Sequence, residues 1–298
     1  MGASKPKPAR SLSTLVADFV TELAHANRSR HTCRAYAADL AQFSAFYRGS
    51  VEAITTDVVC SFEAGLAQLR PASRARKQAA LASFLSWAHR HGLIASNPMA
   101  TVERVRRDPP RPRALDRKPV EAILAAVPAA QRRDRLLFRL IFETGLRVGE
   151  ALGLDVEDLD LTPDDERLSV LGKGGRRRTV LLDEAGLVGQ LRSYLKWSGY
   201  HHGPLFRAEK NGRGGPLRYQ SVQERWARYC ATAGVSCTLH QLRHTHATEL
   251  VNGGVSLETI RRRLGHKNLQ TTLRYAEQSD ATSDAELRAW RRKQRRSH

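Results

Sequence analysis

Two stretches near the end of the chain determine how its second half is interpreted: LHQLRHTHATEL, residues 239–250, and LGHKNLQTTLRYAE, residues 264–277. In the first stretch a histidine and an arginine are three residues apart, so a helix would place them on one face. The second stretch combines a histidine with a tyrosine nine residues later. The side chains that these two stretches contribute to a candidate site are His240, Arg243, His266 and Tyr275.

Two further stretches upstream add basic residues of the same kind. TGLRVGEALGL, residues 144–154, contains Arg147 at the predicted start of a helix. GKGGRRR, residues 172–178, contains Lys173 in a glycine-rich turn. Apolar residues flank this turn on both sides, a pattern typical of a β-hairpin. The candidate site therefore contains two arginines, two histidines, a lysine and a tyrosine.

These residue types suit phosphoryl transfer. Arginine binds a phosphate bidentately, histidine exchanges protons near neutral pH, and lysine can protonate a leaving oxygen. A tyrosine hydroxyl is a nucleophile. No carboxylate pair lies among them, so the sequence indicates no Mg²⁺ site of the kind that polymerases use. We expect neither a metal nor a cofactor.

Charge points to a polyanionic partner. The 298 residues contain 49 Lys and Arg against 30 Asp and Glu, a formal net charge of +19. Nucleic acid is the first candidate partner and an anionic membrane surface the second. No stretch approaches the roughly 20 apolar residues that span a bilayer. The four cysteines show no CxxC spacing, so we expect a cytoplasmic protein with reduced thiols.

Apolar periodicity and proline content divide the chain. We expect a disordered tail over 1–10, a helical domain with four helices over 11–105, and a basic, proline-rich linker over 106–113. A mainly α domain with one small β-hairpin follows over 114–282, then a C-terminal helix and basic tail over 283–298.

The four stretches resemble the active-site motifs of the tyrosine recombinase, or phage integrase, superfamily, and in particular its compact, Xer-like two-domain members. SRHTCRAYAADLAQF, residues 29–43, resembles the start of the family's core-binding domain. The resemblance implies a C-shaped DNA clamp. An all-helical SAM-like core-binding domain would form one half, and an α+β catalytic domain the other.

The resemblance also assigns roles. Tyr275 would attack a DNA phosphodiester and leave a 3′-phosphotyrosine and a free 5′-hydroxyl. Arg147 and Arg243 would hold the non-bridging oxygens, and Lys173 would protonate the departing 5′-oxygen.

The remaining polar residues of the motifs have supporting roles by the same resemblance. His240 would accept or hold the proton of the nucleophile, and His266 would donate a hydrogen bond to the scissile phosphate. Glu150 is expected to orient Arg147. His244 and His246 are expected to be structural, because helical residues two apart do not face each other.

The implied partners are double-stranded DNA with an inverted-repeat core site and further copies of the chain. Two protomers would bind each site and four would form the synapse, linked by the C-terminal segment, and an accessory protein is compatible with this scheme. Candidate DNA contacts are Arg30, Thr32, Arg34, Arg74, Arg76, Lys77, Arg107, Arg111, Arg113, Arg176, Arg177 and Arg178.

Alternatives remain open from the sequence. For the candidate contacts in the helical domain, a solvated polar face is an equally good interpretation. For the activity, the alternatives are a type IB topoisomerase-like relaxing enzyme and a non-catalytic DNA-binding regulator of the same fold. Among recombinases, the sequence does not distinguish integration of a mobile element, transposon resolution and Xer-type resolution of chromosome dimers.

Overall fold

The computed structural model describes residues 10–106, 114–172, 175–208, 214–266, 272–273 and 288. Five of the predicted functional residues lie outside this part of the chain: Lys173, Tyr275, Arg107, Arg111 and Arg113. The chain divides between Pro110 and Arg111 into two compact units.

Helices are the regular secondary structure of the described part of the first unit. Its helices are α1 (Leu12–His25), α2 (Arg30–Phe46), α3 (Thr56–Ala64) and α4 (Pro71–Arg90). The first three have the N-cap residues Ser11, Ser29 and Thr55, whose side chains accept hydrogen bonds from backbone N–H groups of the first turn. The prediction of an all-helical first domain is confirmed.

Aromatic side chains fill the core of the first unit. Phe19 of α1 meets Phe84 of α4 edge-on, with ring centroids 5.7 Å apart, and Phe43 of α2 meets Phe62 of α3 at 5.1 Å. Each of these rings is buried. Buried rings of this size contribute a large share of the hydrophobic stabilisation of so small a domain.

The second unit is mainly helical and contains one small sheet. Its described elements, in chain order, are α5 (Arg117–Ala125), α6 (Arg132–Thr144), α7 (Val148–Leu152), β1 (Leu159–Asp160), β2 (Arg167–Leu171), β3 (Arg177–Leu181), α8 (Ala185–Ser198), α9 (Tyr219–Thr232), α10 (Leu239–Asn252) and α11 (Leu257–Leu264).

The sheet is antiparallel, in the order β1-β2-β3. Leu168 pairs with Val180, and Leu171 pairs with Arg177 next to the turn. Leu168, Val170 and Val180 are buried on one face, as strand alternation requires. The predicted hairpin is therefore present, and the two-residue strand β1 extends it.

Helix α6 lies at the centre of the second unit. It packs against both α8 and α10, and the centroid of its Phe138 ring lies 4.8 Å from that of Trp226 of α9. The helix ends at Gly145, whose φ of +66° is the left-handed conformation of a helix C-cap. This end of α6, the start of α7, the middle of α10 and the end of α11 meet around the candidate site.

Helix α5 begins earlier than the sequence indicated. The sequence pattern predicts a helix from Val120 to Val127, because the prolines up to Pro119 exclude a regular helix before it, whereas α5 begins at Arg117 and contains Pro119 in its first turn. A proline is tolerated there because the N–H groups of the first turn have no partner within the helix. None of the described helices is long and apolar enough to cross a membrane.

Candidate active site

Arg147 lies at the N-cap of α7 and is held by Glu150, as the sequence predicted. The backbone N–H of Arg147 donates to Glu150 Oε2 at 2.9 Å, and its Nη1 donates to Glu150 Oε1 at 2.8 Å. This is a capping box in which one carboxylate fixes both the backbone and the side chain of the arginine. The Arg147 side chain remains 41% exposed, so a ligand can reach it.

Arg243 lies on α10 and is almost fully buried. Its Nη1 donates to the carbonyl of Gly145 and its Nη2 to the carbonyl of Leu264, each at 2.6 Å. These contacts attach the guanidinium to the ends of α6 and α11 together. Glu150 Oε2 is 3.9 Å from Arg243 Nη1, so this arginine also lies beside the carboxylate that holds Arg147.

Arg178 of β3 is the third arginine at this carboxylate. Its Nη1 donates to Glu150 Oε1 at 3.1 Å, its Nη2 to Glu150 Oε2 at 2.9 Å, and its Nε to the carbonyl of Arg263 at 3.0 Å. A bidentate arginine–carboxylate pair of this kind fixes the orientation of both groups. The sequence had placed Arg178 among the DNA-backbone contacts, whereas the structure ties its side chain to the site itself.

Glu150 therefore stays ionised. Burial alone would raise the pKa of this carboxyl, but the hydrogen bonds from Arg178 and Arg147 outweigh burial and lower its pKa to about 2. Three arginines surround one carboxylate, so the cluster carries net positive charge at neutral pH. Such a cluster attracts an anion.

His266 follows the end of α11 and is buried. Its Nδ1 lies 2.9 Å from the hydroxyl Oγ1 of Thr272. Burial, together with the positive charges of Arg243, Arg147 and Arg178, lowers the pKa of His266 to about 4. The imidazole is therefore neutral at pH 7 and can donate one hydrogen bond while accepting another.

His240 is on the same helix as Arg243 and is exposed. Desolvation of its ring, followed by the charges of Arg243 and Arg147, lowers its pKa. Its ring meets the His244 ring edge-on at 4.5 Å. A neutral His240 can accept a proton. Across the described residues, no group of three or more His, Cys, Asp or Glu side chains is placed to hold a metal ion.

His246 has the structural role that the sequence predicted. Its Nε2 accepts a hydrogen bond from Arg263 Nε at 3.1 Å. Burial and the charge of Arg263 lower its pKa to about 3, so the ring is neutral and remains an acceptor. Arg263 also donates to Asp183 at 2.6 Å and to the carbonyl of Glu143 at 3.0 Å.

The sequence analysis did not single out Arg263. It belongs to the run Arg261–Arg263 on α11, and a run of like charges ordinarily indicates a solvated helix face. Only its burial distinguishes it: its side chain is 11% exposed, against 76% for Arg262. No feature of the sequence predicts this difference in exposure between Arg262 and Arg263.

The candidate DNA contacts on α2 differ in exposure. Arg30 and Arg34 are exposed on the first turns of the helix, whereas Thr32 is half-buried. The Thr32 hydroxyl is 2.8 Å from the capping hydroxyl of Ser29. The two arginines are therefore available to a ligand, while Thr32 contributes to the cap.

On α4 the structure corrects the expectation for one residue. Lys77 is buried, and its Nζ donates to Asp39 Oδ1 at 2.9 Å and to Gln42 Oε1 at 2.6 Å. It joins α4 to α2 and is not presented to solvent, so it does not have the predicted DNA-facing position. Arg76, which also pairs with Asp39, is partly exposed, and Arg74 is half-buried.

Two arginines after the hairpin turn remain on the surface. Arg176 and Arg177 are both exposed. Arg177 Nη1 donates to Asp158 at 2.5 Å and to the Ser169 hydroxyl at 2.9 Å. They stay candidate DNA contacts, in contrast to Arg178.

Comparisons with known proteins identify the family to which the chain belongs. Residues 113–282 match the model of the phage integrase family, and residues 16–92 match the N-terminal SAM-like domain of phage integrases. The chain belongs to the phage integrase family. Its catalytic and SAM-like domains thus correspond to the two units of the fold, and the predicted fold class is confirmed.

Relatives with similar sequences are tyrosine recombinases. The chain is 38% identical over 276 residues to tyrosine recombinase XerC of Rhodospirillum centenum, covering 84% of this chain and 78% of the relative. It is 36% identical over 272 residues to XerC of Mycobacterium tuberculosis, covering 83% and 88%. This phage integrase family member is a site-specific tyrosine recombinase, an enzyme that cleaves and rejoins DNA through a tyrosine intermediate.

Solved structures support the fold of this recombinase. XerH site-specific recombinase bound to palindromic difH substrate matches with a TM-score of 0.74 at 22% identity, covering 94% of this chain and 85% of XerH. The lambda integrase tetramer bound to a Holliday junction matches with a TM-score of 0.76 at 20% identity, covering 90% and 78%.

Proposed function

We propose that this recombinase cleaves double-stranded DNA at inverted-repeat core sites by attack of Tyr275, leaving a 3′-phosphotyrosine and a 5′-hydroxyl. The observation that carries the proposal is the convergence of Arg147, Arg178 and Arg243 on the single carboxylate of Glu150. The net positive charge of this cluster favours a bound phosphate. Two of its arginines occupy motif positions that the resemblance assigns to phosphate binding.

The arginines would balance the charge that builds up during attack. A tyrosine hydroxyl has a pKa near 10, so forming the phenolate at pH 7 costs roughly 4 kcal/mol. The lowered pKa of His240 keeps its ring neutral at pH 7, so the ring can accept that proton. Arg147 and Arg243, held at fixed places by Glu150 and by the Gly145 carbonyl, would stabilise the pentacoordinate phosphorane.

The other two groups complete the transfer. A neutral His266 can donate from Nε2 to a phosphate oxygen if its Nδ1 accepts from Thr272. Lys173 would give a proton to the departing 5′-oxygen as the phosphorus–oxygen bond breaks. Because the phosphotyrosine conserves the energy of the broken bond, a 5′-hydroxyl from another strand can reverse the step, and no nucleotide cofactor is needed.

The proposed partners are DNA and further copies of the chain. The exposed arginines Arg30, Arg34 and Arg76 on one unit, and Arg176 and Arg177 on the other, would contact phosphates. We propose that Arg107, Arg111 and Arg113 of the linker also contact the DNA backbone. The lambda integrase dimer on a core site and its tetramer on a junction support two protomers per site and four per synapse.

We propose that the protein acts on DNA in the cytoplasm. Its four cysteines are free thiols in the structure, which suits a reducing compartment.

Denaturing capture tests the proposal. The wild-type chain and its Tyr275→Phe variant are incubated with sheared genomic DNA from the source organism and denatured, and the DNA that remains covalently attached is sequenced. We expect one enriched inverted repeat attached to the wild-type chain and none attached to the variant. Attachment scattered over unrelated sequences, or attachment to the variant, would contradict the proposal.

The acid role of Lys173 has its own test. Lys173→Ala should block cleavage of ordinary DNA at the captured site, and it should spare a substrate whose leaving group is a 5′-thiol, because a thiolate leaves without a proton. Equal loss on both substrates would remove Lys173 from this role.

A further inference from the structure

Arg178 has contacts that its place in the sequence does not explain. It lies on β3, directly after two exposed arginines, yet its side chain is 15% exposed and donates three hydrogen bonds to groups of the site. Arg177, one residue earlier, is 58% exposed and pairs with Asp158 at the sheet. These two neighbouring arginines therefore differ in environment: Arg177 lies on the surface of the sheet, and Arg178 contacts the candidate active site.

Arg178 donates hydrogen bonds to two groups that also position the phosphate-binding side chains. One is Glu150, whose oxygens hold the backbone and side chain of Arg147. The other is the carbonyl of Arg263, in the last turn of α11, which precedes His266. Arg243 donates to the next carbonyl of the same turn, that of Leu264. Arg178 therefore connects the sheet to the place where Arg147, Arg243 and His266 meet.

The backbone is shaped to admit this guanidinium. Gly265, between Leu264 and His266, has a φ of +65°, and a Cβ there would lie 2.9 Å from Arg178 Nη1 and 3.0 Å from its Cζ. A side chain at this position would displace the guanidinium from Glu150. The glycine before His266 thus serves both the left-handed turn and the approach of Arg178.

We infer that Arg178 is a positioning residue for DNA cleavage, which acts by fixing Glu150 and hence the guanidinium of Arg147. This inference rests on the proposed function of Arg147 as a phosphate clamp. Without Arg178, Glu150 loses its bidentate hydrogen-bond partner, so its carboxylate can rotate. Arg147 then loses its fixed orientation toward the phosphate. Misplacement of a clamping group by about 1 Å costs on the order of 100-fold in rate.

The test uses the full chain and a duplex carrying the site recovered by denaturing capture. Single-turnover cleavage is measured at saturating protein for wild type, Arg178→Gln, Arg178→Lys and Arg192→Gln. Arg192 is the matched control, because it also joins a carboxylate, Glu166 at 2.9 Å, and a backbone carbonyl, that of Leu161 at 3.1 Å, but does so away from Glu150.

We expect Arg178→Gln to lower the cleavage rate constant by about 10- to 100-fold, with DNA affinity within about threefold of wild type. Arg178→Lys should cleave faster than Arg178→Gln but more slowly than wild type, because lysine keeps the positive charge but cannot bind the carboxylate bidentately. Arg192→Gln should cleave within about threefold of wild type. A merely structural role would lower the fraction of protein that cleaves, and hence the amplitude, while leaving the rate constant unchanged.

Two further measurements identify the route. In a double-mutant cycle with Arg147→Gln, the double variant should be no more than about threefold slower than Arg147→Gln alone, because both changes remove the same clamp. On a substrate with a 5′-thiol leaving group, Arg178→Gln should remain slow, since the acid step is not its defect. Additive losses, or full recovery with the thiol, would overturn the inference.

The outcomes separate the inference from the proposed function. If wild type forms the adduct and Arg178→Gln matches its rate constant, the inference alone fails. If wild type forms no adduct that depends on Tyr275, the proposed function fails and the inference with it. If Arg178→Gln has no cooperative unfolding transition and is therefore not folded, the cleavage rate constant of Arg178→Lys is compared with that of wild type instead.

Discussion

At the scale of single residues, Gly145 both ends α6 in the left-handed conformation and contacts an arginine of the candidate active site. Its φ is +66°, its carbonyl accepts from Arg243, and a Cβ there would lie 2.6 Å from both His246 Cδ2 and Leu264 Cδ2. Gly199 ends α8 with a φ of +67° and has no atom within 4 Å of such a Cβ. The two positions therefore share the backbone requirement, but only Gly145 is closely surrounded by other side chains.

This pair gives a matched prediction. Gly199→Ala should lower the free energy of unfolding by about 1 kcal/mol, the cost of a left-handed alanine. Gly145→Ala should lower it by about 3 kcal/mol, because overpacking adds to the backbone cost, and should slow DNA cleavage by displacing Arg243. Urea unfolding measures both. Equal losses would show that the close contacts of Gly145 are relieved without cost.

His266 supplies a pH prediction. Its pKa of about 4 in the folded chain lies below the ordinary value near 6.5 expected when unfolded. Between these values the unfolded chain binds a proton that the folded chain does not, so the free energy of unfolding falls as pH decreases from 7 to 5. One such group contributes up to about 2 kcal/mol of that fall.

Replacing the ring tests this assignment. His266→Gln should flatten the dependence of unfolding free energy on pH between 7 and 5, as followed by urea unfolding at each pH. His201→Gln, at an exposed histidine, is the control and should leave the slope unchanged. An unaltered slope in His266→Gln would mean that other groups, such as His246, account for the whole effect.

At the scale of elements, Asp39 and Lys77 join α2 to α4 in the first unit. Asp39 is buried and also accepts from Arg76. Lys77→Met would leave a buried carboxylate with one partner fewer, and we expect the free energy of unfolding to fall by about 2 kcal/mol. The double variant Asp39→Leu with Lys77→Met should recover most of that loss, since no buried charge remains. A double variant as unstable as Lys77→Met alone would contradict this role.

Sequence patterns predicted elements better than the contacts between them. Apolar spacing predicted α1, α2, α4 and α6, because each buries one continuous face. The same patterns missed β1, which has two residues, and the start of α5, because a proline in a first turn resembles one in a loop. Lys77 and Arg178 were assigned to the surface because a basic run carries no information about which member finds a buried carboxylate. The Glu150 cluster depends on packing of α7, β3, α10 and α11, which no local pattern encodes.

At the scale of the whole molecule, the net charge of +19 predicts a strong dependence of DNA binding on salt. Each phosphate neutralised adds about 0.9 to the slope of log affinity against log salt concentration. Arg34→Gln should reduce that slope by about 1 and weaken binding equally on all sequences. Lys77→Met, a buried lysine, should leave the slope unchanged, as measured by fluorescence anisotropy at several salt concentrations. A smaller slope for Lys77→Met would show that Lys77 contacts DNA after all.

The C-terminal segment provides the last prediction, at the level of assembly. Residues 283–298 lie mostly outside the described part of the structure, and their pattern predicts a helix with Leu287 and Trp290 as apolar anchors. By resemblance this helix passes to a neighbouring protomer. A chain that ends before Ser283 retains every residue of the proposed active site. We therefore expect it to cleave a single site but to fail to assemble four protomers on paired sites.

Native mass spectrometry of the assembled complexes, alongside covalent capture on one site, measures the two properties separately. A full-length chain with Leu287→Ser and Trp290→Ser is the matched control, because it keeps the length and the basic charge of the tail. If these two substitutions reproduce the truncation, apolar docking of the helix drives assembly. Assembly and recombination at full-length levels by the truncated chain would show instead that the interfaces between protomers lie within residues 1–282.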